Sequence, residues 1–117
     1  MTNKEIYDLF VAELFAELYV NHPVPISRNI TSSDADCEVK SESLRFLKEN
    51  NHILFDQTMD GGYLDLRFTN QGLALLEITE TESDSTNGNK LVKAISDGAS
   101  SLAAKIVAQL IITSGSQ

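Results

Sequence analysis

The sequence predicts a mainly α fold carrying one small β-hairpin, and three observations lead there. Apolar residues between Lys4 and Val20 recur at three- and four-residue spacing. The segments HILFDQT and YLDLRF flank a glycine-bearing MDGG. From Lys90 to Thr113 helical spacing returns after a wholly polar stretch. At 117 residues, 42% hydrophobic and 22% charged, the chain is long enough for one core and too apolar for general disorder.

In the first helix Tyr7, Phe10, Val11, Leu14, Phe15 and Leu18 form one stripe. Thr2 or Asn3 is its cap, with Glu5 in the first turn. Ile6, Leu9 and Val20 lie off the stripe, so cover on more than one side is expected. Pro23 and Pro25 end the helix and leave PVPIS as a short extended piece suited to a sheet edge. Residues 27–36 are turn- and cap-rich, and any helix there is short. A second helix from Cys37 to Asn50 turns Leu44 and Leu47 inward and Arg45, Lys48 and Glu49 toward solvent. ENNH closes it, because asparagine tolerates the left-handed conformation of a helix end.

Gly61 and Gly62 supply the positive φ of the hairpin turn. In its second strand Leu64, Leu66 and Phe68 are expected on one apolar face, alternating with Tyr63, Asp65 and Arg67. Thr69 or Asn70 then caps a short helix carrying Leu73, Leu75, Leu76 and Ile78. Gly72 in its first turn costs about 1 kcal/mol relative to alanine, which implies a close approach of two backbones. Residues 79–89, TETESDSTNGN, contain no apolar side chain and read as a flexible linker. The last helix, 90–113, carries Leu91, Val92, Ile95, Leu102, Ile106 and Leu110, with small residues four apart at Ala94/Gly98, Ala99/Ala103 and Ala104/Ala108.

Long helix, extended piece, helical region, helix and hairpin: this order resembles the winged helix, a helix-turn-helix variant whose hairpin is the wing. ESLRFLKENNHI is similar to its second motif helix and the approach to the wing, and MDGG to the wing tip. RFTNQGLALLE resembles the strand-to-helix exit LTxxGxxLL of bacterial regulators of the MarR and PadR type, with Phe68 in place of the usual leucine. A wider likeness, through PVPI, LRFL and LVKAISDGA, is to a group of short, uncharacterised bacterial and phage-associated winged-helix proteins. It implies a winged-helix domain over residues 1–78, the linker, and an additional C-terminal helix, but no activity.

Little in the sequence points to catalysis. The two histidines, His22 and His52, sit beside helix ends in polar surroundings, and one cysteine, Cys37, gives neither a disulfide nor a spaced metal-ligand set. SSDADCE lacks the glycine and the distant glutamate of a calcium loop, and Gly61-Gly62 lacks the lysine of a phosphate loop. A non-enzymatic protein without metal or cofactor is therefore expected. The polar TNKE start is unlike a secretory leader, and AAKIVAQLIIT is interrupted by Lys105 and Gln109. Both features point to a cytoplasmic chain without a membrane contact.

Two macromolecular roles remain. The resemblance implies that the helix from Cys37 enters a DNA groove, with Arg28, Ser41, Arg45, Lys48 and Arg67 as candidate contacts. Charge opposes this: residues 21–68 hold five cations against eight carboxylates, and the whole chain carries −8. The last helix offers a surface for protein contact. It either folds back on Leu9 and Val20 or pairs with a second copy, a homodimer through Ile95, Ala99, Leu102, Ala103, Ile106 and Leu110 being the favoured expectation. A protein-interaction or regulatory adaptor with an unidentified protein partner is thus placed ahead of a sequence-specific transcriptional regulator.

Overall fold

The computed structural model describes residues 2–78 and 86–115, with side chains through 110. Within them five helices surround a small three-stranded antiparallel sheet. Helix α1 (Asn3–Asn21) starts on a reciprocal cap. The Glu5 N–H donates to Thr2 Oγ1 at 3.1 Å, and the Thr2 N–H donates to the Glu5 carboxylate at 3.2 Å. Its buried residues are Val11, Ala12, Leu14, Phe15, Ala16 and Leu18, which at 100° per residue cover more than half of its circumference. Helix α1 is accordingly enclosed on two sides, one by the sheet and the following helix, the other by the C-terminal helices.

Strand β1 (Ile26–Asn29) leads into a loop rather than a helix. Over residues 31–36 the chain makes turns, with the Thr31 N–H donating to the Asp34 carboxylate at 2.7 Å. The helical region expected before Cys37 is absent, because Thr31 and Asp34 satisfy the backbone locally. Helix α2 (Cys37–Glu49) follows, then β2 (Ile53–Gln57) and β3 (Gly62–Phe68), with β3 central in the order β1-β3-β2.

The expected apolar face of β3 is half wrong. Tyr63, Leu66 and Phe68 are buried, whereas Leu64 is 44% exposed. Pairing slips by one residue with both neighbours, between Tyr63 and Leu66 against β1 and between Leu64 and Arg67 against β2, and Asp65 adopts φ 55° there. One extra residue reverses the alternation, so odd positions face inward before the bulge and even ones after it. At the other end of the hairpin, the Gly62 N–H donates to Thr58 Oγ1 at 2.8 Å, closing the turn that carries Met59 into solvent.

Helix α3 (Asn70–Glu77) begins where three segments meet. Asn51, at φ 62°, ends α2, with the Asn51 and His52 N–H groups donating to the carbonyls of Lys48 and Leu47. Thr69 Oγ1 donates to the Asn51 carbonyl at 2.6 Å and accepts from the Gly72 N–H at 2.9 Å, while the Thr69 N–H donates to the His52 carbonyl at 3.1 Å. A Cβ on Gly72 would lie 2.0 Å from the His52 carbonyl oxygen. Glycine is required there by contact.

The expected linker covers residues 79–89, of which 79–85 lie outside the described residues; Asn87 to Asn89 are helical. The expected single helix 90–113 is two, α4 (Asn87–Ser96) and α5 (Ser100–Gly115). Gly98, at φ 75°, separates them: its N–H donates to Ile95 and that of Ala99 to Ala94, closing the α4 carbonyls over a left-handed residue. Thr86 caps α4 and shares a 2.9 Å hydrogen bond with the Tyr19 hydroxyl. Gly88 lies so close to the Tyr19 ring that a Cβ would meet it at 2.4 Å. Both helices pack on α1, and Leu91, Ala94, Ala103, Val107 and Leu110 join Phe15, Leu44, Leu66 and Leu76 in one core.

Candidate interaction face

Helix α2 and the hairpin carry most of the residues expected at a DNA contact, and each cation among them is already engaged. Arg45 lies on the exposed side of α2 between Glu42 at 3.3 Å and Glu49 at 3.5 Å. Lys48 folds onto the sheet, its Nζ donating to the Phe55 carbonyl at 3.0 Å and standing 4.6 Å from the centre of the Phe55 ring. Arg67 donates to the Asp65 carbonyl at 2.7 Å, at the bulge. Arg28 pairs with Glu17 of α1, and its Nε is buried without a partner among the described residues. Ser41 is half-buried.

These residues are not gathered into one positive surface. Arg28 and Lys40 line a cavity of about 250 Å³ against α1, together with Glu13 and Asp36. The exposed pairs of Arg45 with Glu42 and Glu49 each contribute only about 0.3–0.5 kcal/mol, so they do not lock α2. They do neutralise it: Glu38, Glu42 and Glu49 balance Lys40, Arg45 and Lys48. At the hairpin tip Asp60, rather than a cation, faces solvent, and a hydrogen bond from the Thr58 hydroxyl holds its carboxyl below the ordinary value.

A second feature was not legible as a site. The N-terminal half of α1 and the outer side of α2 bound an open groove of about 780 Å³. Tyr7 and Phe46 meet edge to face in it, ring centres 6.0 Å apart, and Phe46 remains 48% exposed. Lys4 stands 5.1 Å from the Tyr7 ring centre and pairs with Asp8 at 2.5 Å. The Tyr7 hydroxyl is buried and unpartnered among the described residues, and burial, then the Asp8 charge, pushes its phenol up to about 12. Val39 lines the groove, and Ser43 also lines it, its Oγ donating to the Val39 carbonyl at 2.6 Å. The sequence signal is Phe46 between the inward-facing Leu44 and Leu47; Tyr7 packs against the core as its stripe position predicts and also borders the groove.

The residues expected at a dimer contact lie mostly inside the chain. Ala103 and Leu110 are buried, and Ile95, Ala99 and Ile106 pack against the same core; Leu102 is 53% exposed. His52 is also placed differently from the expectation of polar surroundings: it is buried at the α2–β2 junction, its Nδ1 unpartnered among the described residues, and burial lowers its pKa. Among the described residues no group of three or more His, Cys, Asp or Glu side chains is placed to hold a metal ion, and no helix is long and apolar enough to cross a membrane. No family model, curated protein or solved structure matches the chain.

Proposed function

We propose that this chain is a cytoplasmic, non-enzymatic winged-helix protein that acts as a protein-interaction or regulatory adaptor. Support for the winged helix comes from the order α1, β1, α2, β2, β3, with β1 completing the sheet beside the hairpin. The departure is the loop at residues 31–36, which leaves α2 without the preceding helix of a helix-turn-helix. The observation that carries the adaptor role is the pairing of Arg28, Arg45, Lys48 and Arg67 with groups of their own chain. Counterion release, which drives protein–DNA association, needs cations that face phosphate.

A mobility-shift experiment at low salt tests this. Micromolar protein is expected to leave duplex DNA fragments unretarded; retardation that disappears in Arg45→Glu would replace the adaptor with a sequence-specific regulator. Self-association stands as a separate proposal resting on Leu102. A dimeric light-scattering mass that becomes monomeric in Leu102→Glu would support it, and a monomeric mass for the unaltered chain would end it.

A further inference from the structure

We infer that the groove between α1 and α2 is the docking site for an amphipathic segment of a partner protein, with apolar side chains on one face and lysines or arginines beside them. The inference rests on the adaptor reading and gives the partner a chemistry. Shape is the first argument. On α2 the lining residues recur from Glu38 to Phe46, a span of about 12 Å at the helical rise, which matches two turns of a helix laid alongside.

The floor is apolar. Tyr7, Val39 and Phe46 form it, and Phe46 keeps about half of its surface in water although it already touches Tyr7. A half-exposed aromatic in a concavity is the kind of anchor around which peptide contacts gather. The adjoining Tyr7 hydroxyl, buried without a hydrogen-bond partner, leaves this region incompletely satisfied in the free chain.

The rim is acidic, and this selects the occupant. Glu38 has no ion pair or hydrogen bond among the described residues, and Glu42 meets only the exposed Arg45. The groove's own cation, Lys4, is neutralised by Asp8. With a net charge of −8 the whole chain repels an acidic segment and attracts a basic one.

The test is selection from a phage-displayed library of random dodecapeptides on the immobilised full chain, followed by anisotropy titration of the enriched peptides. Enriched sequences are expected to place apolar residues three or four apart with interspersed Lys or Arg. Binding should weaken about tenfold or more in Phe46→Glu, as for an interface anchor. It should weaken about threefold in Glu38→Lys and fall with added salt, as an acidic rim requires. Glu38 is exposed, so its variant keeps the test valid should Phe46→Glu disturb folding. Binding unchanged in both variants, acidic consensus sequences, or no enrichment at all would overturn the groove as a site. If DNA is also unretarded, the adaptor reading survives that failure; retardation abolished by Arg45→Glu removes both.

Discussion

The two ends of α2 carry the same backbone conformation and opposite surroundings. Asp36 before the helix and Asn51 after it are both left-handed, at φ 58° and 62°. After the helix, Asn51, His52, Thr69 and Gly72 exchange hydrogen bonds until no room for a methyl group is left. Before it, Asp36 makes no side-chain cap and the Glu38 side chain has no partner among the described residues, beside an open groove. A left-handed residue therefore does not identify a fixed structural point by itself. Its partners decide whether the position is architecture or available surface.

The largest expected effect is at the closed end. Gly72→Ala places a Cβ against the His52 carbonyl and should cost about 3 kcal/mol in urea unfolding, at the upper end of overpacking costs. A loss below about 1 kcal/mol would mean that the junction gives way easily. Thr69→Ala removes the α3 cap and the donor to Asn51, and about 1.5 kcal/mol is expected by the same measurement. How far these positions were legible follows from their locality: the Thr69 cap on Gly72 and the closing asparagines of α2 act within a few residues, where turn and cap chemistry is visible in sequence, whereas the contact of Thr69 and Gly72 with Asn51 and His52 is tertiary.

The same is not true elsewhere. The bulge at Asp65 adds a residue without a glycine to announce it, so a period-two reading of YLDLRF keeps the wrong phase. In sequence Gly98 looks like half of a small-residue pair, although its positive φ ends α4. The ion pairs around Arg45 follow helical spacing and were visible in kind, but Lys48 on Phe55 and Arg28 on Glu17 depend on tertiary placement. So does the groove, since Tyr7 and Phe46 come from helices far apart in the chain.

Smaller effects refine the contrast. His52 titrates below its ordinary value when folded, because burial disfavours its charged form. The unfolded chain therefore binds the proton first, and stability should fall as pH drops through about 6.5, the value for an exposed histidine. The slope of melting temperature against pH between neutral and mildly acidic conditions should shrink in His52→Gln; an unchanged slope would assign it to another group. Smallest of all, Asp36→Gly should alter stability by no more than about 0.5 kcal/mol, since glycine accepts the left-handed conformation and no cap is lost. A loss as large as that of Thr69→Ala would make the two ends of α2 equivalent.

Enclosure of α1 from two sides has a consequence for the order of events during synthesis. The sheet and α2 are complete once Phe68 has left the ribosome, but α4 and α5 emerge later, and they cover the remaining side. Until then a nascent chain holds a half-dressed helix with apolar surface in water. Folding must wait for contacts that span most of the chain, an arrangement that slows closure of the core. Helices α4 and α5 thus complete the shelter of a helix made well before them.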